Sequence, residues 1–139
     1  MPLRFIHPVQ RATHRIGLYV DELGEQQLTQ GEAHILALLA ESSPLTVGDL
    51  HRGLAHKRST LTSILDRLAG RQLITRTVGE SDRRTFVVGL TSKGRKLARR
   101  VERHLAELER RVRRRVKASD VDGFTKVLSV LESEAANRK

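Results

Sequence analysis

The sequence contains no cysteine and no tryptophan, and its aromatic residues are limited to three Phe and one Tyr. The absence of cysteine excludes disulfides, thiolate zinc sites and thiol-based redox sensing within the chain. So few aromatic residues cannot line the stacking surface on which single-strand binding proteins hold bases. No apolar run approaches the ~20 residues needed to cross a bilayer, and charges occur throughout the first twenty residues. We therefore expect a cytoplasmic protein with no transmembrane segment and no signal peptide.

Basic residues, by contrast, are in large excess. The 139 residues include 26 Lys and Arg against 16 Asp and Glu, for a net charge of +10. Such a charge favours a polyanionic partner. The excess is concentrated between Lys93 and Lys117, where twelve basic residues face three acidic ones. With 38% apolar residues, the chain is long enough to bury a core as one domain or two very small ones.

The apolar periodicity is helical along most of the chain. Three segments have the pattern of a helix-capping box, in which a Ser or Thr and an acid three residues later cap a helix start: Thr29-Gln-Gly-Glu32, Thr46-Val-Gly-Asp49 and Ser119-Asp-Val-Asp122. We predict helices over about 8–22, 30–41, 47–53, 58–69 and 120–136, with Gly70 as a C-cap. A long apolar stripe over 97–116 predicts a further helix of about six turns.

One stretch departs from the helical pattern. Residues 73–78 and 85–90 alternate and are rich in β-branched side chains, and the six residues between them are polar. This pattern predicts a β-hairpin with a charged tip. The fold class is therefore mainly α with a small antiparallel β-hairpin.

Helix, helix, turn, helix and hairpin is the order of a winged helix-turn-helix. The apolar face of the 58–69 helix would pack inward and leave short polar side chains outward, which lets a helix enter a major groove, and Arg58 can present a bidentate fork to guanine. The candidate DNA-binding residues here are Lys57, Arg58, Ser59, Thr60, Thr62 and Ser63, with Thr46 at the start of the preceding helix. An ordinary amphipathic surface helix would show the same pattern.

The predicted hairpin tip carries Asp82, Arg83 and Arg84. An arginine at the end of a two-stranded ribbon can enter a narrow minor groove, where the negative potential is concentrated. An acid two residues earlier can orient its guanidinium. We therefore add these three residues to the DNA-binding set, although a solvated charged loop is the alternative.

Four segments together resemble the MarR family of bacterial and archaeal transcription regulators: residues 45–50, 57–68 and 72–76, and Ser81-Asp82-Arg83-Arg84 followed by Leu90-Thr91-Ser92-Lys93-Gly94. The resemblance implies a homodimeric regulator, such as a repressor, bound to a pseudo-palindromic operator. It places Ser59, Thr60, Thr62, Ser63 and Arg67 at recognition-helix positions, Arg84 as the minor-groove arginine and Asp82 as its acid. In the turn, Ala55, His56 and Lys57 stand where the family tends to have Gly, an apolar residue and a capping Ser.

The flanking helices are expected to dimerise. The apolar stripe of 97–116, with Phe124 to Leu131 after it, is too large for a small wing domain to cover, and a reader of a palindrome needs two recognition helices. A monomeric core is the alternative. We assign 28–94 to DNA binding and 1–27 with 95–139 to dimerisation. Lys93, beside the wing, is expected to meet phosphate, whereas the basic residues of 110–117 would lie far from it.

The resemblance also implies release of DNA by a small-molecule effector, for which the candidates are His14, Arg15, Tyr19 and His34. The six histidines show no i, i+4 pair, so no metal site or cofactor is expected. No phosphate-binding loop, nucleophile elbow or paired-carboxylate motif is present, so the chain is not expected to be an enzyme. Two other functions stay open: a non-specific architectural DNA-binding protein, and a winged helix that binds protein.

Overall fold

The computed structural model describes residues 2–24, 28–79 and 85–136. In chain order the elements are α1 (Ile6–Asp21), α2 (Gln30–Ser42), β1 (Leu45–Thr46), α3 (Val47–Leu54), α4 (Arg58–Gly70), β2 (Ile74–Val78), β3 (Phe86–Leu90), α5 (Ser92–Arg113) and α6 (Ala118–Ala136). This confirms the predicted mainly helical, winged helix-turn-helix class. Contacts within the chain divide it into two units, Met1–His104 and Leu105–Lys139, with α5 contributing to both.

The sheet of the first unit has three antiparallel strands in the order β1-β3-β2. β2 and β3 pair from Ile74 opposite Leu90 to Val78 opposite Phe86, which confirms the predicted hairpin to within a residue. The sequence did not predict β1, in which Leu45 pairs with Val88. Two residues are too few to show an alternating pattern, so only pairing with β3 reveals this strand.

The core of the first unit lies where α2, α3 and α4 meet above the hairpin. The side chains of Leu36, Leu39, Leu50 and Leu68 are completely buried, at 0% exposure. Each stabilises the fold by about 1.5–3 kcal/mol relative to an exposed position. Burial of the predicted inner face of α4 orients the rest of that helix, because residues between the buried ones then face outward. The buried residues of α4 are Leu61, Ile64, Leu65 and Leu68.

The segment Leu90-Thr91-Ser92-Lys93-Gly94 joins the hairpin to α5. The Thr91 hydroxyl donates to the carbonyl of Gln72 at 2.7 Å and accepts from the backbone N–H of Gly94 at 2.9 Å. The backbone N–H of Thr91 donates to the carbonyl of Leu73 at 3.1 Å. A Cβ on Gly94 would overlap that same Leu73 carbonyl, so only glycine allows α5 to begin this close to the chain leaving α4.

The end of α4 differs from the prediction, because Gly70 is its last helical residue and not its cap. Gln72 instead takes the left-handed conformation, with φ of 61°. The N–H of Gln72 bonds the carbonyl of Ala69, and the N–H of Leu73 bonds that of Leu68. This pair of bonds is a Schellman motif with Gln72 at the left-handed position, where glycine is usual. Burial of Leu73 in the core fixes the conformation of this turn, although the left-handed residue, Gln72, is not a glycine.

Three other predicted boundaries were also wrong. α1 begins two residues early, at Ile6, and α5 ends at Arg113, so Val116 lies beyond it. The predicted capping box of Ser119 and Asp122 does not start α6, which begins at Ala118. The carboxylate of Asp120 instead accepts from the backbone N–H of Lys117 at 2.9 Å. Because α6 begins at Ala118, Asp120 is its third residue, the position from which an acid reaches back to the N–H of the residue before the helix.

The second unit contains the end of α5 and all of α6. No residue of α6 is buried. Three of its large apolar side chains are instead about half exposed, Phe124 at 56%, Val127 at 49% and Val130 at 55%. Val112, near the end of α5, is exposed at 50%. The apolar stripe predicted from the sequence is therefore present here, but this unit does not bury it within itself.

Candidate nucleic-acid interface

The outer face of α4 presents a continuous row of short polar side chains. Every predicted contact residue in its first two turns is exposed: Arg58, Ser59, Thr60, Thr62 and Ser63. Lys57 occupies the N-cap position, is exposed, and makes no side-chain cap hydrogen bond. The free N–H groups and the positive dipole of this helix end favour a bound anion such as a phosphate. The geometry of α4 therefore suits contact with a phosphate at its N-terminus and with bases along its outer face.

The helix before it, α3, is held at its start by a complete capping box. The Thr46 hydroxyl accepts from the N–H of Asp49 at 2.9 Å, and the Asp49 carboxylate accepts from the N–H of Thr46 at 3.0 Å. These bonds lower the pKa of Asp49, the largest effect being that of the Thr46 backbone N–H. Arg52 adds an ion pair to Asp49 at 2.6 Å. Thr46, predicted to contact DNA, is thus a half-exposed cap whose hydroxyl oxygen is already engaged.

The turn between α3 and α4 contains a strained residue. Ala55 adopts the left-handed conformation, with φ of 56° and ψ of 20°. This is the position at which the family tends to have glycine, and an alanine there costs about 1–2 kcal/mol. His56 follows, with its Nδ1 buried and without a hydrogen bond among the described atoms. The turn thus holds a non-glycine residue in a left-handed conformation and a buried ring nitrogen without a partner among the described atoms.

Two predicted contact residues are held by other parts of the chain. The Nε of Arg67, in the last turn of α4, lies 3.3 Å from Oε1 of the buried Glu32 of α2. Lys93, in the first turn of α5, donates to the carbonyl of Arg71 at 3.3 Å. Both side chains belong to the surface at the C-terminal end of α4. Glu32 and Arg71 were not predicted as part of the site; the signal for Glu32 was an acid directly before the apolar run of α2.

A further pair of charges joins α4 to the wing. Nη1 of Arg76, in β2, lies 2.7 Å from Oδ1 of Asp66 on α4, and both side chains are substantially exposed. Arg76 was also not predicted. The predicted wing contacts Asp82, Arg83 and Arg84 lie outside the described residues, so their role stays a prediction. The strands on either side of them, β2 and β3, are as predicted.

The four candidate effector residues lie on α1 and α2 and differ in their surroundings. His14 and Arg15 are exposed on α1. Tyr19 stacks on His104 at a ring-centroid distance of 3.8 Å and donates its hydroxyl to the His104 carbonyl at 2.8 Å. The Nε2 of His104 lies 2.6 Å from the carbonyl oxygen of Tyr19. Tyr19 thus joins α1 to α5.

The fourth effector candidate, His34 on α2, has a lowered pKa. Partial burial of the imidazole is the largest cause, and the nearby His56 acts in the same direction, while Glu41 opposes them. His56 belongs to the turn before α4. The pKa of His34 is therefore affected by a residue of the turn between α3 and α4, and not by the candidates on α1.

Neither a metal site nor a membrane span is found within 2–24, 28–79 and 85–136. In these ranges no three His, Asp or Glu side chains are grouped so that they could hold a metal ion. None of the helices there is both long enough and apolar enough to cross a membrane. The functional candidates in the described chain are therefore the outer face of α4 and its surroundings.

The sequence over residues 28–86 matches the family model of the MarR family. The matched segment begins just before α2 and ends at the first residue of β3, so it contains both helices of the helix-turn-helix and the first strand of the hairpin. No curated protein sequence matches the chain. The match to the family model thus covers the region that contains the polar face of α4. The helices before and after this region lie outside the match, and their similarity is seen only with solved structures.

Solved structures match nearly the whole chain. MepR of S. aureus, in a structure described as a MepR–DNA complex, is 22% identical with a TM-score of 0.80, over 96% of this chain and 99% of that one. Wild-type MarR of E. coli, in its apo form, is 23% identical with a TM-score of 0.67, over 94% and 97%. CouR, described as a transcriptional repressor bound to a 23-mer DNA duplex, is 26% identical with a TM-score of 0.72, over 93% and 92%. The fold of this chain is thus shared with these three structures over nearly its whole length.

Proposed function

Because residues 28–86 form a MarR-family domain, we propose that this chain is a transcription regulator that binds double-stranded DNA in a sequence-specific manner. MarR-family proteins are transcription regulators, and the family match confirms the prediction that the chain is not an enzyme. The observation that carries the proposal is the exposed row of Arg, Ser and Thr side chains on α4, whose opposite face is buried. Such a helix can enter the major groove while the rest of the domain holds it rigidly.

In this proposal each part of the interface has its own task. Arg58 and the polar side chains after it read base edges, while Lys57 and Lys93 bind phosphates that fix the register of the protein on the duplex. Arg84, oriented by Asp82, enters the minor groove beside the site, and Arg83 adds positive charge there. Apart from Arg58, the proposed base-reading residues of α4 are uncharged Ser and Thr, so specificity depends on geometry more than on the total charge of +10.

The proposed assembly is a homodimer on a pseudo-palindromic operator. The support for it is the apolar surface of the unit Leu105–Lys139, which has no buried residue in α6. A second copy of the chain can cover that surface and at the same time supply the second recognition helix. Residues 1–27 and 95–139 would dimerise, and 28–94 would bind DNA. Leu3 and Phe5, exposed at 55% and 51%, are further candidates for the contact.

We propose that the protein is a cytoplasmic repressor, because a dimer bound to an operator blocks the access of other proteins to that DNA. The similarity to CouR, described as a repressor, supports this direction. A small-molecule effector that binds near α1 and α2 would release the DNA. His14, Arg15 and His34 are the accessible candidates for contacting it. Tyr19 would act by giving up its stacking on His104.

Selection of bound duplexes from a random DNA pool tests the function. The expected result is an enriched pair of inverted half-sites, with centres about 10 bp apart or a multiple of that spacing. Binding to the selected duplex should exceed binding to a scrambled one by at least 10³-fold at physiological salt, the lower end for specific DNA-binding proteins. Equal affinity for both duplexes, with the same salt dependence, would identify an architectural DNA-binding protein instead. No binding to any duplex at low salt would favour a protein partner.

Two variants separate specific from general contacts. Arg58→Ala removes an exposed guanidinium from the start of α4, and Arg115→Ala removes one from the second unit. Arg58→Ala should lower the preference for the selected duplex by 1–3 kcal/mol, roughly 5- to 150-fold. Arg115→Ala should weaken binding to the selected and the scrambled duplex equally. The same effect for both variants would contradict the assignment of α4 as the recognition helix.

A further inference from the structure

Glu32 is the only charged or polar residue that is buried in the described parts of the chain, with 1% exposure. It lies three residues after Thr29, the N-cap of α2. The Thr29 hydroxyl accepts from the Glu32 N–H at 3.1 Å, which is the ordinary N-cap bond. A buried carboxylate is costly unless charges or hydrogen bonds compensate it. Its position therefore needs a reason beyond the cap.

The two capping segments of this domain use their acids differently. In α3, the Asp49 carboxylate turns back to the N–H of Thr46 and completes the capping box. In α2, the Glu32 carboxylate turns inward, where Oε1 lies 3.3 Å from Nε of Arg67 and Oε2 lies 3.6 Å from Nη1 of Arg71. The same sequence pattern thus caps a helix in both cases, but the Glu32 carboxylate lies near two arginines and the Thr29 hydroxyl, at 3.1 Å, and does not bond the N-cap N–H.

These two arginines lie at the end of the recognition helix. Arg67 is in the last turn of α4, and Arg71 follows the helix directly. The Oε2 of Glu32 and the Nη1 of Arg71 have no hydrogen bond to any described atom, so their attraction is electrostatic at this distance. One buried carboxylate therefore holds two cations, and a positive charge remains at the surface.

Arg67 is half exposed, with 52% of its side chain accessible. Its contact with Glu32 uses Nε, the donor nearest the chain, and the terminal edge of a guanidinium carries further donors in a fixed plane. Ser59, Ser63 and Arg67 follow one another at steps of four along α4, so they lie along one side of the helix. The terminal edge of Arg67 thus continues the polar row that the proposed function assigns to DNA.

We propose that Glu32 is a positioning residue for DNA binding: it holds Arg67 by Nε so that the terminal edge of the guanidinium binds a phosphate next to the bases that α4 reads. This inference rests on the proposed function. A guanidinium held in one orientation forms bidentate bonds to a phosphate with less loss of side-chain freedom. Arg71 shares the same carboxylate, at 3.6 Å from its second oxygen.

The direction in which one substitution changes the affinity for DNA distinguishes this positioning role of Glu32 from a purely electrostatic one. Glu32→Gln removes a negative charge close to the interface, so charge alone predicts tighter DNA binding. Positioning predicts weaker binding, because an amide has a single acceptor oxygen and cannot hold both arginines. Glu107→Gln is the matched control, since Glu107 also pairs with an arginine, Arg110 at 2.7 Å, but in the second unit.

The experiment measures the affinity of full-length protein for the selected duplex at several salt concentrations by fluorescence anisotropy. We expect Arg67→Ala to weaken binding about tenfold and to reduce the salt slope by about 1. Glu32→Gln should weaken binding several-fold and also reduce the slope. The double variant should bind no more weakly than Arg67→Ala alone, because the glutamate acts through the arginine. Glu107→Gln should change neither quantity.

Three outcomes would overturn the inference: equal or tighter binding by Glu32→Gln, independent effects in the double variant, or an unchanged slope for Arg67→Ala. Circular dichroism shows whether Glu32→Gln folds, and Arg67→Lys serves if it does not. That variant keeps the charge but lacks the planar fork, so wild-type affinity for Arg67→Lys would also overturn it. Failure of the wild type to prefer its selected duplex would instead refute the proposed function itself.

Discussion

The two units of the chain have similar proportions of apolar residues but use them in opposite ways. In Met1–His104, the buried side chains extend from Val20 to Val101 and enclose a core between α2, α3, α4 and the sheet. In Leu105–Lys139, α6 buries none of its residues and exposes Phe124, Val127 and Val130. The first unit therefore has the interior that a domain needs for its own stability. The second has an apolar surface that only becomes an interior when another surface covers it.

The largest expected effect contrasts a glycine in each unit. Gly94→Ala should destabilise the protein by about 3 kcal/mol, because the new methyl group would overlap the Leu73 backbone, which cannot move without shifting the core. Gly123→Ala, in α6, meets no atom within 4 Å and should instead stabilise its helix by about 0.5–1 kcal/mol. Urea unfolding followed by circular dichroism measures both. Equal effects would show that the start of α5 is not tightly packed.

The next effect concerns the exposed face of α6. Phe124→Asp should weaken association of two copies by 2 kcal/mol or more, since it places a charge where the proposed dimer needs an apolar contact. Ser129→Asp adds the same charge to an exposed position of α6 and is the control. Sedimentation at several concentrations measures the fraction of dimer. Unchanged dimerisation of Phe124→Asp would contradict the assignment of this face, and dissociation by both variants would point to total charge instead.

A smaller effect is expected in the turn before the recognition helix. Ala55→Gly should stabilise the first unit by about 1 kcal/mol, because glycine adopts the left-handed conformation without the strain that a Cβ causes. Ala106→Gly, within the regular helix α5, should be destabilising by a similar amount. Thermal unfolding distinguishes the two signs. Loss of stability in both variants would show that Ala55 is not strained.

The smallest effect is a pH dependence in the first unit. The pKa of His34 is lowered in the folded chain by partial burial and by His56, so the unfolded chain binds a proton more readily. The contribution of His34 is therefore complete above its ordinary pKa, near 6.5, and is lost as the pH falls toward the lower folded value. His34→Gln should make urea unfolding less dependent on pH between 8 and 5. His14→Gln is the control, and an equal change in both variants would contradict this origin.

Much of the fold was predictable from local pattern. The N-cap at Thr29, the capping box at Thr46, the buried face of α4 and the hairpin strands all depend on residues close in sequence, and the structure confirms them. The other half of the box predicted at Thr29, in which Glu32 reaches back to the N-cap N–H, is not formed. The predictions failed where a distant contact decided the outcome. Gln72 is left-handed because Leu73 must enter the core, and β1 is a strand only because β3 lies beside it.

The candidate site divides in the same way. Exposure of the polar row on α4 follows from its helical spacing once the apolar side is buried, so the sequence alone could predict it. The partners of that row could not be predicted, since Glu32 precedes Arg67 by 35 residues and Asp66 meets Arg76 on a separate strand. The sequence patterns around these residues do not indicate which charged side chains will form ion pairs. Tyr19 and His104 are 85 residues apart and are a further example.

The sequence by itself determined the classes of element, the winged helix-turn-helix order and which side of α4 faces outward, because periodicity and caps act over a few residues. The tertiary structure decided what the charged residues do. Glu32 could have completed a cap, as Asp49 does, but the approach of α4 brought two arginines to it and burial made their pairing necessary. The excess of basic residues that first indicated a polyanionic partner thus says less about the site than one buried acid that pairs with the end of α4.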